Sequence, residues 1–506
     1  MKKIFFWLIF CLSLGLFAQE TEPAAEPAAA AESPAEPAVA AAESSAAESP
    51  ETETSAVPGE GAPESAAPAE PEPAPPIPPE NTVEAARLAT IRYGTETEIA
   101  ALIQTLKTEG TDYLDNELVA LVETTRNQQI LSGVFTFFGD RNQSGLESRA
   151  IRAIEERDDE TNETVLAAAD YLGKVKAGRA LDVLMKLLDS QERRFMGTAF
   201  RALGRVGGTG PEAADDAAEY LIDYYTNREP GDENRREIIT ALGAAGSRKG
   251  VSFLAEIAGS NEERVSLRIA ALEALARIGD AEGLNAVISS VSAADPNVRS
   301  SAVAALGPFS GEEVDSAILE AFRDSYYRTR IAAAQASRER KFEKAIPYLR
   351  YRAERDDVPA VKDEAIRALG AIGNEECLSI IESLFSERKN ADRVRIVAAE
   401  MLIHNGPGTY LGRLMVELDE AKTKNQTALY NGFLKIAGEA KTEKLEDLAR
   451  RFLASGGIIE KSYALDMAAN NRLKTLIEEV RALTEDKNAS LARKARRVLD
   501  TLEAGD

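Results

Sequence analysis

The sequence predicts an all-α protein: an α-solenoid of two-helix repeats with a period of about 32 residues, preceded by a disordered linker. Two observations support this. Apolar residues recur at steps of three and four, which is the period of a helix with one buried face. The resulting helix pair returns at a nearly constant distance along most of the chain, without an alternating pattern typical of strands. A chain with these features grows in one dimension, each repeat covering its neighbour.

The clearest repeat runs from Pro359 to Asn390. Gly373-Asn374 separates its two helices, because glycine tolerates positive φ and asparagine can cap the next helix. The predicted buried residues are Val361, Ala365, Ala368, Leu369 and Ile372 on the first helix and Leu378, Ile381, Leu384 and Phe385 on the second. Neither apolar stripe can be buried alone, so the hairpin requires neighbours of the same kind.

One buried position near the end of each first helix serves as a marker of the repeat. The marker residues are Leu172, Leu203, Leu242, Leu275, Leu306, Ser337, Leu369, Leu402, Leu434 and Leu465. The only step much longer than the others separates Leu203 from Leu242, and we expect its GGTGPEAADD and NREPGDEN segments to be loop insertions. GRVGGTG in the same region is predicted to be a turn, because no strand precedes it and no Lys-Ser or Lys-Thr follows it.

The first helices share a signature, seen as NVRSSAVAALG at Asn297–Gly307 and AVKDEAIRALG at Ala360–Gly370. This signature resembles the HEAT repeat, specifically the bilin-lyase-like (PBS lyase) subclass, over roughly residues 161–502. The resemblance implies a curved right-handed superhelix whose concave face is lined by the signature helices. It also implies a binding scaffold, since most members of that family are scaffolds and few are enzymes.

The chain divides into four predicted regions. Residues 1–18 have the charged start and short apolar core of a signal peptide, which predicts export to the periplasm or cell envelope; an uncleaved anchor is the alternative. Residues 19–80 are rich in Ala, Pro and Glu and should form a disordered linker. Residues 81–160 contain irregular helical repeats and an N-terminal cap, in which Phe135, Phe137 and Phe138 seal the array. Residues 161–506 form the solenoid and its C-terminal capping helix.

The charge of the chain argues against general nucleic-acid binding. Its formal net charge is −24, and half of this excess comes from the 14 Glu residues of segment 20–80 together with the two Lys of the leader. The remainder is still acidic, whereas phosphate contacts need clustered cations. Residues 323–355 are the exception, with ten basic and four acidic residues, and they replace the usual Leu-Gly by Ser337-Arg338. We hypothesise that this repeat binds an acidic or anionic partner. The alternative is that its cations only pair with acidic neighbouring repeats or with the Glu-rich linker.

A basic residue stands seven positions before the marker in six successive repeats. The six are Arg235, Arg268, Arg299, Arg330, Lys362 and Arg395. They share a helical face with apolar residues, so we predict a structural role, in which their heads bind turn carbonyls or acids of the next repeat.

The free face of the first helices is predicted at positions nine, five and two before the marker and two after it. In the three central repeats these positions are Arg328, Ala332, Gln335 and Glu339; Ala360, Glu364, Arg367 and Ala371; and Arg393, Val397, Glu400 and His404. With the basic repeat, this face supplies our candidate partner-binding residues: Tyr327, Arg328, Gln335, Arg338, Arg340, Arg350, Arg352, Glu364, Arg367, Glu400 and His404.

Catalytic residues are scarce in the sequence. His404 is its only histidine and is placed to cap a helix, while Cys377 is in phase with apolar residues and should be buried. Paired His-Glu motifs, such as those holding iron in the HEAT-repeat enzyme deoxyhypusine hydroxylase, do not occur, and we expect no cofactor or metal. The sequence therefore predicts an exported scaffold or adaptor for another envelope protein. The alternatives are a HEAT-containing lyase or hydroxylase, and a glycan- or lipid-binding envelope protein.

Overall fold

The computed structural model describes residues 82–504, a range that contains α-helices, short 3₁₀ turns and no strand. The predicted leader and linker, and the thiol of Cys11, lie outside the described residues. The helices are α1 Val83–Tyr93, α2 Glu96–Glu109, α3 Asp115–Thr124, α4 Gln128–Asp140, α5 Glu147–Glu155, α6 Asn162–Lys174, α7 Leu181–Asp189, α8 Arg193–Gly207, α9 Pro211–Asn227, α10 Asp232–Ala245, α11 Val251–Gly259, α12 Val265–Ile278, α13 Leu284–Ser290, α14 Pro296–Ala305, α15 Glu312–Ala321, α16 Tyr327–Arg340, α17 Ile346–Arg355, α18 Pro359–Ile372, α19 Glu375–Ser386, α20 Asp392–Asn405, α21 Pro407–Thr423, α22 Thr427–Glu439, α23 Glu446–Ser455, α24 Ile458–Asn470, α25 Ile477–Ala482 and α26 Ala489–Glu503.

The helices form two layers. Each even-numbered helix packs on the next even-numbered helix from α2 to α26, whereas the odd-numbered helices contact one another less extensively. We call the even-numbered helices the first helices and the odd-numbered ones the second helices of each repeat. The predicted solenoid of two-helix repeats is confirmed. Several repeats place a 3₁₀ turn before the second helix, at Gly178–Ala180, Arg248–Gly250, Ala281–Gly283, Glu343–Ala345, Glu443–Leu445 and Lys474–Leu476.

The α18–α19 hairpin has the turn that its sequence predicts. Gly373 ends α18 with a φ of 67°, in the left-handed region that favours glycine. The side-chain oxygen of Asn374 accepts a hydrogen bond of 2.9 Å from the Cys377 backbone N–H and caps α19. Cys377 itself is buried, as predicted, and its burial raises the pKa of the thiol to about 11.

The marker residues form the middle of the core. All ten are at most 1% exposed. The glycine after the marker allows close contact between first helices, because a Cβ at Gly204 would lie 2.6 Å from the Cα of Ala241 in α10. Leu-Gly at the end of a first helix therefore fills the core with its leucine and admits the neighbouring helix at its glycine.

Two regions differ from the sequence prediction. The predicted loop GGTGPEAADD is largely helical: α9 begins at Pro211, which is favourable at the first position of a helix, and runs for 17 residues. The extra residues between Leu203 and Leu242 thus lengthen a second helix, and the non-helical residues of the two predicted loops are 208–210 and 228–231. In the N-terminal region, Phe135, Phe137 and Phe138 are buried in α4, which packs between α2 and α6 and so lies inside the array.

Candidate partner-binding surface

Ion pairs bridge two groups of successive first helices, α4 to α10 and α16 to α20, along one polar face. We call it the signature face: the positions nine, five and two before the marker and two after it. The cross-helix pairs that involve this face are Lys174 with Asp140, Arg205 with Asp170, Arg201 with Glu237, Arg338 with Glu364 and Arg393 with Asp363. Arg338 and Asp363, one residue after and six residues before their markers, lie outside the four positions. These bonds reach from one first helix to the next, so side chains from many repeats share a single surface.

The structure corrects the prediction that all four positions of this face are free. Ala332, Glu364 and Val397, five residues before the marker, are all buried. First helices approach each other closely, and this position faces the adjacent first helix. Glu364 is therefore not an exposed contact residue, contrary to our expectation.

Glu364 connects two repeats. Arg338 Nη1 lies 3.0 Å from Glu364 Oε1 in an ion pair that lacks hydrogen-bond geometry, and Arg367 Nη1 lies 3.9 Å from the other carboxylate oxygen. Burial raises the pKa of the Glu364 carboxyl above its ordinary value although both arginines oppose the shift. Among the candidate residues, Arg338, Glu364 and Arg367 are thus brought together, mainly by contacts within the protein.

Three other candidates on this face have no polar partner within the part of the chain that the structure describes. Glu400 and His404 are exposed on α20, and Gln335 is half-buried on α16. His404 stands in the last turn of α20, the position that the sequence predicts. On the same face, Arg328 donates a hydrogen bond of 3.1 Å to the Tyr327 hydroxyl. These side chains are available to a partner without breaking a bond to a carboxylate.

The basic residue seven before the marker has the predicted structural role in most repeats. Arg268 and Arg395 donate from Nε to the carbonyls of Ala258 and Phe385, the residue ten positions earlier in each case. Lys362 donates to the Glu354 carbonyl in the same manner. Arg299 and Arg330 bind both turn carbonyls and aspartates of the following repeat. Arg235 differs, because it lies over the Tyr225 ring.

Most cations of the basic repeat form ion pairs with carboxylates of the protein itself. Seven of its ten cations pair with carboxylates: Arg323, Arg330, Arg338, Arg340, Lys344, Arg350 and Arg352. Six of these pair with acids outside residues 323–355, which supports the alternative that the repeat neutralises acidic neighbours, and Arg350 pairs with Glu354 of its own helix.

The candidate arginines of this repeat do not share one surface. Arg340 binds Asp315 and the Phe309 carbonyl on the preceding repeat, whereas Arg338 extends toward α18. Arg350 is exposed on α17 and pairs with Glu354, while Arg352 binds Asp356 and the Phe322 carbonyl. The sequence shows that the repeat is basic, but only the structure shows that its cations point in different directions.

Five carboxylates on the signature face have no ion-pair partner among the described residues: Glu163, Glu233, Glu273, Glu339 and Glu400. Sequence reasoning named Glu339 and Glu400 and missed the other three. Desolvation by the surrounding protein raises the pKa of Glu273 and of Glu339. The sequence pattern that could have predicted these unpaired carboxylates is a glutamate on this face with no basic residue at the matching position of the next first helix.

Three other features bear on function: possible metal sites, possible membrane-spanning helices and clefts. Across residues 82–504, no three His, Cys, Asp or Glu side chains come together as metal ligands would. In the same range, every helix is too short or too polar to cross a membrane. A cleft of about 440 Å³ between α1 and α3 is lined by Ile91, Arg92, Asn116, Glu117 and Leu121.

The fold and the polar face define a class: an α-helical repeat protein with an extended surface on its first helices. The chain belongs to the spirochaete HEAT repeat protein family, whose sequence model matches residues 91–498. A search of the curated proteins finds no match. The bilin-lyase-like subclass stays a prediction.

Solved structures with some likeness to this chain are distant. The karyopherin Kap121p bound to the extreme C-terminus of the protein phosphatase Cdc14p has 13% identity and a TM-score of 0.42, over 82% of this chain and 53% of its own. Importin beta has 13% identity and a TM-score of 0.35, over 82% and 69%. Human deoxyhypusine hydroxylase has 18% identity and a TM-score of 0.22, over 54% and 98%. The chain spans about half the length of Kap121p, and none of these likenesses bears on its function.

Proposed function

We propose that this protein is a scaffold or adaptor that binds another protein through the signature face. One observation carries the proposal: ion pairs bridge the first helices α16, α18 and α20 along one polar face, on which Gln335, Glu400 and His404 have no polar partner within the described residues. A surface built from many repeats suits an extended partner, because a solenoid presents similar side chains at regular intervals.

We place this scaffold in the cell envelope, as an exported protein. The leader at residues 1–18 supports export, and the Ala-, Pro- and Glu-rich segment 19–80 suits a tether between an attachment point and the solenoid. The V-R-x-x-A-x-x-A-L-G signature supports assignment to the bilin-lyase-like HEAT subclass, which is mainly a class of binding repeats. The expected partner is therefore a second envelope protein.

The test is site-specific photo-crosslinking in intact cells, with the crosslinking residue placed at Gln335, Glu400 or His404. Matched controls carry it at Glu312, Glu376 or Ser379 on the second helices, where the side chains are exposed as Glu400 and His404 are. We expect one protein to be captured from the signature face and not from the controls. Equal capture from both layers, or none from the signature face, would overturn the proposal.

That residues 323–355 bind an acidic partner stays a prediction, and it now depends on fewer cations. Three cations of the repeat have no carboxylate partner among the described residues: Arg328, Lys341 and Arg355. Lys341 follows α16 at the turn, at the end of the hairpin opposite to Arg328 and Arg355. Reversing Arg328 and Arg355 to Glu should abolish capture of such a partner at low salt, and unchanged capture would contradict it.

A further inference from the structure

The cleft between α1 and α3 is a second candidate site, separate from the signature face. Both of its helices belong to the layer of second helices, whereas the signature face lies on the first helices. Its volume of about 440 Å³ falls within the range of ligand-binding pockets, about 300–1,000 Å³. The cleft is therefore large enough to hold a small molecule or a short stretch of peptide.

Short side chains on α3 leave this cleft open. Other neighbouring second helices are bridged by long side chains. Tyr220 of α9 donates a hydrogen bond of 3.0 Å to the Met185 carbonyl of α7, and Arg152 of α5 pairs with Glu123 of α3 at 2.6 Å. The cleft is instead lined by Ala120 of α3, and among the described residues no side chain of α1 forms a hydrogen bond or an ion pair with α3.

Two opposite charges line the cleft and neither has a partner. Arg92 stands on α1 and Glu117 on α3, with the Asn116 amide beside Glu117. Within the part of the chain that the structure describes, these three side chains form no hydrogen bond and no ion pair. A guanidinium binds a carboxylate, and a carboxylate binds an ammonium or a guanidinium. A ligand that carries both charges would satisfy both walls of the cleft.

The same cleft has an apolar part. Ile91 is buried and Leu121 is half-buried, and both line the cleft together with the charged residues. An apolar side chain placed there would remove further apolar surface from water. The Asn116 amide can donate to a carbonyl and accept from an N–H, the two groups of a peptide unit. These groups together match a peptide more closely than they match a simple ion.

We propose that the α1–α3 cleft binds a short peptide segment of a partner protein, in which an apolar side chain lies between an acidic and a basic one. The acidic group binds Arg92, the basic group binds Glu117 and the apolar side chain packs on Ile91 and Leu121. This inference goes beyond the proposed function, because it assigns a second binding site on the other layer of helices.

The test measures binding of three labelled peptides to the full chain by fluorescence polarisation. The peptides have blocked termini and central residues Lys-Leu-Glu, Lys-Leu-Lys or Glu-Leu-Glu. The variants are Arg92→Glu, Glu117→Arg and the double variant, none of which breaks an ion pair, and Ala120→Phe, which fills the cleft. The matched controls are Arg193→Glu and Glu256→Arg, which make the same changes of charge at exposed, unpaired residues elsewhere among residues 82–504.

We expect the wild type to prefer the Lys-Leu-Glu peptide, Arg92→Glu the Lys-Leu-Lys peptide and Glu117→Arg the Glu-Leu-Glu peptide. Each preference should be about fivefold, which corresponds to one exposed ion pair of about 1 kcal/mol. The double variant should again prefer Lys-Leu-Glu, because that peptide can bind in the reverse direction. Ala120→Phe should abolish the preference, and both controls should behave as the wild type does.

Equal binding of the three peptides by the wild type would overturn the inference. An unchanged preference in Ala120→Phe, or a shift of preference in the two controls as large as in the cleft variants, would also overturn it. The photo-crosslinks at Gln335, Glu400 and His404 lie on the first helices and do not depend on this cleft. Failure of the peptide test therefore leaves the proposed function intact, and loss of those crosslinks leaves the cleft proposal intact.

Discussion

The hairpins α16–α17 and α18–α19 have the same architecture but are joined to the array by different means. In α18–α19, Leu369 fills the core, Gly370 lies against Met401 of α20 and Gly373 adopts the left-handed turn conformation. In α16–α17 the corresponding residues are Ser337, Arg338 and Lys341. Ser337 is fully buried and donates a hydrogen bond of 2.8 Å to the Ala333 carbonyl. One hairpin relies on apolar volume and close approach, and its neighbour relies on charge and hydrogen bonds.

A buried ionic cluster replaces part of the missing apolar contact in the basic hairpin. Both carboxylate oxygens of Asp356 accept from Arg330, at 2.8 and 2.9 Å, and Arg352 also donates to one of them at 3.2 Å. The Asp356 side chain is 0% exposed. In the next hairpin, Lys362 occupies the position of Arg330 and binds only a carbonyl. The comparison shows that an excess of charge in one repeat can be a means of joining repeats.

The largest expected effect comes from Asp356→Ala. The change leaves Arg330 buried without its carboxylate, which should lower the free energy of unfolding by about 3–5 kcal/mol. Urea unfolding followed by circular dichroism measures it. Asp357→Ala is the control, because the Asp357 side chain is 87% exposed and its loss should cost at most about 1 kcal/mol. Equal effects would show that the buried cluster is not what joins α16–α17.

Truncating the marker residue tests the apolar side of the comparison. Leu369→Ala should cost about 2–5 kcal/mol because it leaves a cavity in the core. Ser337→Ala should cost only about 1 kcal/mol, since it removes one hydrogen bond and little volume. The two unfolding curves are compared under the same conditions. A Ser337→Ala variant as unstable as Leu369→Ala would contradict the difference that we draw between the hairpins.

Low pH should selectively weaken the α16–α17 hairpin, which contains the buried ionic cluster. Burial acts to raise the pKa of Asp356, but hydrogen bonds from Arg330 and the Val358 N–H, together with both arginines, hold it below its ordinary value. Its contribution is therefore complete above the unfolded-state pKa of about 4 and is lost as the pH falls through the lower folded-state pKa. The stability difference between the wild type and Asp356→Asn should shrink across that window. A constant difference down to pH 2, about two units below the unfolded value, would contradict this assignment.

The smallest expected changes in the free energy of unfolding come from substituting the turn residue that follows the first helix. In the two hairpins these changes should have opposite signs. Gly373 and Lys341 both have positive φ, 67° and 49°. Gly373→Ala should lower the free energy of unfolding by about 1 kcal/mol, whereas Lys341→Gly should raise it by up to about 1 kcal/mol. Thermal unfolding with both variants side by side measures the sign. A destabilised Lys341→Gly would show that the lysine side chain supports the turn.

The sequence was sufficient for the periodic features of the fold. The marker residues, the Gly373-Asn374 turn and the structural roles of Arg268 and Arg330 all follow from helical phase. Phase alone could not show that Glu364 is buried, because that depends on how closely neighbouring first helices approach. It also could not separate helix from loop at Pro211, where glycine, proline and acidic residues suit either conformation. The candidate face stays a prediction, and its free charges emerged only once each cation could be matched with its carboxylate.

The glycine-to-alanine contacts between first helices also bear on how the molecule responds to tension. Each repeat is held by its two neighbours alone, so pulling on the ends loads the repeats in series. The contact of Gly204 with Ala241 is short-ranged and should yield abruptly once separated by a fraction of an ångström. Ion pairs such as Arg201 with Glu237 at the same seam and Arg338 with Glu364 between α16 and α18 attract over a longer range. At the α16–α18 seam Arg338 stands where the other repeat has its glycine, so under load we expect the array to stretch first there and to recoil without unfolding.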